Sequence, residues 1–318
     1  MKEIGGYIEI EYSHGKEFHP EAIALNCGRN CLAYLIEAYQ IKKIYLPYFL
    51  CASVSGVCKK YSVEIEYYNI NEAFLPVIPT SLKKNDWFYV VNYYGQLSVK
   101  ELSEIKMNAE NLIIDNAQNF FEQPLNDVPT IYTCRKFFGV SDGAYLYSNK
   151  KVERTLEIDY SYERMHFLMG RFEKTANEFY SEYNENNHLF VNEPIKQMSR
   201  LTHNFLKSID YDFVKKQRTD NYNYLYEKLV ATNKLKLGKT TGAFAYPLLI
   251  EDGDNCRKAL QQKKIYIPTL WPDVFDLCNE RSLEYYYAKN ILPIPVDQRY
   301  LITDMEYILE NLEKEEFV

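Results

Sequence analysis

The stretch spanning residues 111–148, NLIIDNAQNFFEQPLNDVPTIYTCRKFFGVSDGAYLYS, limits the possible fold of this chain more than any other. Leu112-Ile113-Ile114 is a short apolar run of the kind that forms a buried strand, and it stops at Asp115. A second β-rich run, Thr130-Ile131-Tyr132-Thr133, delivers Arg135 and Lys136 into a turn at Phe138-Gly139. A third, Ala144-Tyr145-Leu146-Tyr147, follows Asp142-Gly143. Taken singly, Asp115 reads as a turn starter and Lys136 as half of a solvated basic pair. Their order along the chain gives them weight.

The flanking sequence extends the pattern in both directions. Strands are predicted at 43–47, 64–68 and 86–95. Helices are predicted from Cys31 to Tyr39, from Ala52 to Tyr61, and from Ser98, a suitable N-cap, to Asn108. Strands alternating with helices predict an α/β domain around a mostly parallel mixed sheet. Ligands of such sheets sit beyond the carboxyl ends of the strands, where Tyr93, Tyr94, Asp115 and Lys136 all fall. An N-terminal arm precedes this domain, with a short strand predicted at 7–12. After it come helices at 153–159 and 171–183 in a polar, aromatic stretch, then a long helix from Asn204 to Ala231. The remainder, with strands at 243–250, 265–268 and 291–295 and helices at 255–263 and 303–314, predicts a small α+β domain. The division expected is 1–204 for the arm and large domain and 205–318 for the small one.

Composition excludes several classes of function. The net charge of −7 opposes a nucleic-acid binder held by phosphate contacts. No apolar run reaches membrane-spanning length and the start lacks a signal-peptide core, so a cytoplasmic protein is expected. The seven cysteines are scattered, with no C-x-x-C pair, and the five histidines show no ligand spacing; neither a metal site nor a disulfide framework is expected.

A carboxylate at one strand end and a lysine after the next suit pyridoxal phosphate (PLP). The lysine amine forms a Schiff base, and the carboxylate pairs with the pyridinium nitrogen so that the ring can accept electrons. Upstream, Asn26-Cys27-Gly28-Arg29-Asn30 is a turn feeding a helix N-terminus, where free N–H groups and the helix dipole favour an anion.

With these pieces in order, the chain resembles the fold-type I PLP enzymes, and among them the DegT/DnrJ/EryC1/StrS group of sugar aminotransferases. The resemblance runs from about Ala22 to Leu312. It rests on the turn at Gly28, Tyr45-Leu46-Pro47-Tyr48, Val91-Asn92-Tyr93-Tyr94-Gly95-Gln96, Asp115-Asn116-Ala117-Gln118, Arg135-Lys136 and Asp142-Gly143, with Pro268-Thr269-Leu270-Trp271 and Asp297-Gln298-Arg299 in the last domain. The resemblance implies that Lys136 carries the cofactor and moves the proton, and that Asp115 pairs with the ring nitrogen. It further implies that Gln118 lies near the ring hydroxyl, that Gly28, Arg29, Asn30 and Thr133 hold the phosphate end, and that Tyr94 lines the ring. Trp271 and Arg299 become candidates for substrate contact. A homodimer is implied too, with residues near Ser199 and Arg200 reaching the partner's site. Where the group has a ring-stacking aromatic this chain has Cys51, which leaves Tyr48, Tyr93 or Tyr94 to supply a ring. The serine expected upstream of the lysine is Ile131.

The function expected from the resemblance is transfer of an amino group from an amino acid such as glutamate to a keto-sugar nucleotide, in cell-surface polysaccharide or related biosynthesis. Two alternatives stand beside it: another PLP reaction, such as a lyase or decarboxylase, and a non-catalytic scaffold with a vestigial pocket. Sugar dehydratases of this group carry histidine in place of the lysine, so Lys136 opposes that variant.

Overall fold

The computed structural model describes residues 4–318. Its centre is a seven-stranded sheet built from β1 (Ile23–Leu25), β2 (Lys43–Pro47), β3 (Glu64–Tyr68), β4 (Trp87–Val91), β5 (Asn111–Asp115), β6 (Thr130–Thr133) and β7 (Ala144–Tyr147), in the order β1-β7-β6-β5-β4-β2-β3. The pairings from β3 through to β6 are parallel, whereas β7 runs antiparallel to both its neighbours. Every residue of β4 is buried, as is all of β5 beyond Asn111, because helices cover both faces. The covering helices include α1 (Gly28–Tyr39), α2 (Ala52–Lys60) and α3 (Val99–Asn108). Ser98 caps α3 as the sequence predicts: its hydroxyl accepts the Glu101 N–H at 3.2 Å while Glu101 accepts the Ser98 N–H at 2.8 Å.

The mixed, largely parallel sheet is thus the architecture expected, though the strand expected over 86–95 stops at Val91 and gives way to a 3-10 turn at Tyr93–Gly95. Residues 153–159 form no helix. They lie extended beside Gln197, which exchanges backbone bonds with Glu157 and Asp159. The segment predicted as one helix over 171–183 is two, α4 (His166–Glu173) and α5 (Tyr180–Leu189), separated by a 3-10 turn. The run from Asn204 to Ala231 likewise splits into α6 (Arg200–Lys207) and α7 (Tyr211–Leu229). Each has its own cap: Ser199 accepts from Thr202 N–H, and Asp210 from Phe213 N–H. The division expected at residue 204 therefore falls within α6.

A second apolar core forms around Tyr222, Leu225, Tyr246, Leu248, Leu292 and Ile294. It lies between α7, an antiparallel pair β8 (Ala245–Leu249) and β9 (Ile291–Pro295), and helices α8 (Gly253–Gln262) and α11 (Ile302–Lys314), with short helices α9 (Val274–Leu277) and α10 (Leu283–Asn290) intervening. Ile265 and Ile267 are buried, as their alternation predicts, but no strand pairs with them. The arm at 7–12 also keeps a strand's alternation without a strand partner, and leaves Tyr7 and Ile8 almost fully exposed.

Candidate active site

Asp115 is the last residue of β5, registered against Val91 of β4 and Ile131 of β6. Parallel pairing on both sides fixes its backbone: its carbonyl accepts Asn92 N–H at 3.0 Å, and Ile131 accepts Asn116 N–H at 2.8 Å. The carboxylate is also held. Its Oδ1 accepts the Ala117 N–H at 2.8 Å, and its Oδ2 accepts the Tyr89 hydroxyl at 2.8 Å. Gln118, almost fully buried, accepts the Tyr94 N–H on its Oε1 at 2.8 Å. The amide nitrogen of Gln118 has no protein partner among the described residues, so it is free to donate to a ligand oxygen.

Lys136 belongs to the turn after β6. Cys134 anchors that turn: its carbonyl accepts the N–H groups of Phe137 and Phe138, and its own N–H reaches the Gly143 carbonyl of β7's approach. The Lys136 side chain is exposed, makes no ion pair among the described residues, and has its Nζ 5.5 Å from the Phe244 ring centroid. The next carbonyl, that of Phe137, accepts from Gln298 Nε2 at 2.8 Å and Arg218 Nη2 at 3.3 Å. Arg218 is buried, and its remaining donors reach the Gln298 side chain and the Ala243 carbonyl. Burial lowers its pKa to about 10, which leaves it charged at neutral pH.

The third part is the N-terminus of α1. Its N-cap, Cys27, makes no capping bond with its side chain; burial pushes the thiol up to about 11. Asn30 N–H donates to the Cys27 carbonyl at 3.1 Å, whereas the Gly28 and Arg29 amides have no acceptor among the described residues. A Cβ placed on Gly28 would meet no atom within 4 Å, so the space above it is open. Arg29 donates to the Asn187 carbonyl at 2.9 Å, and Arg135 donates to the Asn187 side chain and lies over the Phe190 ring. Neither guanidinium has a carboxylate partner among the described residues. Burial lowers the pKa of Arg135, and the charge of Arg29 adds to that. Two cations with no carboxylate partner among the described residues, beside a helix N-terminus, have the chemistry that suits an anion. Arg135 was not singled out as an anion ligand in the sequence, although its place beside Lys136 was a usable signal.

The other candidates fall into two groups. Thr133 ends β6, half-buried, with no hydrogen-bond partner for its hydroxyl among the described residues. Asn30 is committed to structure: its amide donates to Asn26 at 2.9 Å and to the Pro194 carbonyl at 2.8 Å. Tyr94 contributes its N–H to Gln118, while its ring is buried against Phe74 and Trp271. Trp271 itself packs on Phe49, with centroids 4.4 Å apart. Arg299 forms a two-point ion pair with Asp297, at 2.6 and 2.8 Å. Of the tyrosines that might replace a stacking ring at Cys51, Tyr48 lies on Tyr67 and Tyr93 donates to the Phe49 carbonyl at 2.6 Å. Ser199 caps α6 and donates to the buried Asp142.

Two cavities, of about 300 and 360 Å³, lie elsewhere, one against Glu251 and Lys289 and the other against Leu25 and Gln197. Shape alone would favour them. Neither gathers a comparable set of unpaired donors and acceptors, so the chemistry favours the strand ends. Among the described residues no cluster of metal-binding side chains occurs, and no helix is long and apolar enough to cross a membrane.

No protein-family model matches the chain, and no curated protein matches it in sequence. Solved structures do match in fold. DesV of S. venezuelae superposes with a TM-score of 0.63 at 14% identity, over 96% of this chain and 90% of its own. A DegT DnrJ EryC1 StrS aminotransferase from Brucella abortus gives 0.63 at 13%, over 92% and 85%. The E. coli GDP-4-keto-6-deoxy-D-mannose-3-dehydratase, crystallised with hydrated PLP, gives 0.61 at 14%, over 92% and 87%. The chain thus has the fold-type I fold that these sugar-modifying enzymes share.

Proposed function

We propose that this chain binds PLP at the strand ends and transfers an amino group from an amino acid, such as glutamate, to a keto-sugar nucleotide. The observation that carries this reading is the pairing of a buried, hydrogen-bonded carboxylate on β5 with an unpaired lysine after the adjacent parallel β6, beside an anion site at α1. These residues fit the cofactor. The first turn of α1, Arg29 and Arg135 suit its phosphate, with the Thr133 hydroxyl available. Asp115 suits the ring nitrogen, the free amide of Gln118 suits the ring hydroxyl, and Lys136 suits the aldehyde.

When bound, PLP supplies an electron sink that eases loss of a proton from the amino acid's Cα. This chain's residues do the rest. Asp115 would lie at the ring nitrogen, and the Lys136 amine would take the proton from the amino acid's Cα and return it. Among the described residues no carboxylate pairs with the Lys136 amine, so no ion pair has to be broken before it reaches a ligand. Phe244 borders the lysine on one side. Trp271 and Arg299 are the proposed substrate contacts in the small domain.

The proposal includes a cytoplasmic homodimer. It is supported by an exposed apolar surface on the segment that covers the α1 N-terminus, including Tyr160, Tyr162, Met169 and Phe172, the last 94% exposed. The reading is tested by absorbance spectroscopy of the folded protein with PLP, before and after L-glutamate. A visible band that appears with PLP and bleaches with glutamate is expected. A band that ignores glutamate overturns the choice of donor, and no band overturns PLP binding.

A further inference from the structure

Tyr89 sits in the middle of β4, opposite Ile113, two residues short of the Asp115 register, and is 2% exposed. Its hydroxyl donates to Asp115 Oδ2 at 2.8 Å, on the oxygen that the Ala117 amide does not take. Burial, reinforced by the charge of Asp115, raises the phenol's pKa well above its ordinary value, so it remains a donor at any working pH. Its backbone is fixed from the other side, where the buried Tyr68 hydroxyl donates to the Tyr89 carbonyl at 2.7 Å. The contact therefore joins a rigid central strand to the one carboxylate at the strand ends that faces this core. Neither strand-end chemistry nor core packing demands a hydroxyl here; a phenylalanine ring would fill the same space without the donor.

We propose that Tyr89 is a positioning residue that, together with the Ala117 amide, holds the Asp115 carboxylate oriented and charged toward the ring nitrogen of PLP. This rests on the PLP reading above. A carboxylate whose charge is shared with two donors competes less for the nitrogen's proton, so the proton stays on the ring and the sink stays strong. Without a donor at Oδ2 the carboxylate would be free to turn and draw the proton toward itself.

The test uses full-length wild type, Tyr89→Phe and Tyr68→Phe, each first shown to be folded by circular dichroism. The probe is PLP labelled with ¹⁵N in the ring, read by NMR, with PLP affinity measured in parallel. Tyr89→Phe is expected to move the ring-nitrogen resonance toward the unprotonated position. It should also weaken PLP binding by about tenfold, the effect of losing one hydrogen bond to a charged group. Tyr68→Phe, which removes a buried phenol without touching Asp115, is expected to lower stability and leave the resonance in place. A Tyr89→Phe protein with the wild-type resonance and affinity overturns the proposal, whatever its stability. So does an equal displacement in both variants, which would mark general loosening of β4. Failure of the wild type to bind PLP would instead overturn the cofactor reading, and the role of Tyr89 with it.

Discussion

Asp115 ends β5 and Lys136 lies in the turn after the adjacent β6, yet they are held in place by different means. Asp115 is fixed by its own neighbourhood: the parallel register of β4 and β6, the Ala117 amide and the Tyr89 hydroxyl. Lys136 sits on an exposed turn whose carbonyl at Phe137 is gripped from afar, by Arg218 and by Gln298, the latter 161 residues away in sequence. The carboxylate end is thus a product of the sheet. The lysine end depends on side chains from α7 and from the segment after β9, so the packing of those elements and the placement of Lys136 are coupled.

The sharpest way to break that comparison is Lys136→Ala. Because the side chain is exposed and unpaired, folding stability in urea should not change, while transamination falls by at least about a hundredfold. A large stability loss would show that Lys136 is structural instead. Next in size is Arg218→Met, which leaves the Phe137 and Ala243 carbonyls without their charged donor. It should cost about 4 kcal/mol in urea unfolding and also lower the fraction of protein carrying PLP. Stability lost with PLP loading intact would uncouple that packing from the lysine.

His19 gives a pH probe of the packing against β6 and β7. Its buried ring contacts the Phe120 carbonyl at 2.8 Å, and burial lowers its pKa from 6.5 to about 4. It is neutral in the fold, whereas the unfolded chain takes up a proton near pH 6.5. Its contribution to stability is therefore full above pH 6.5 and is lost as pH falls toward 4, about 3 kcal/mol in all. His19→Gln should flatten that part of the pH–stability curve, measured by urea unfolding at successive pH values; an unchanged slope would place the titration elsewhere. Smallest is Gln298→Leu, expected to cost about 1 kcal/mol, since Arg218 still reaches the same carbonyl. A loss equal to that of Arg218→Met would make Gln298 the principal clamp.

The same contrast explains what could be read from sequence. The strand ends were legible because apolar runs stop at polar residues: Ile114 to Asp115, Tyr132 to Thr133. Ser98 was legible because a capping box lies within four residues. The grip on Phe137 was not, since nothing local to Arg218 or Gln298 reveals a partner so distant in sequence. The 151–200 stretch misled for a related reason: its polar-aromatic composition has no clear period, and its conformation is set by Gln197 and by the contacts of Asn187 with Arg29 and Arg135. Tyr89 passed for core because a buried tyrosine in an apolar strand looks like one until its hydroxyl is seen on Asp115.

The central claim is that Lys136 is the residue that joins PLP. Incubating the full-length protein with PLP, reducing with borohydride and mapping the modified peptide by mass spectrometry tests it directly. The expected result is a single phosphopyridoxyl adduct on Lys136. An adduct spread over surface lysines, or none on Lys136 in folded protein, would contradict it.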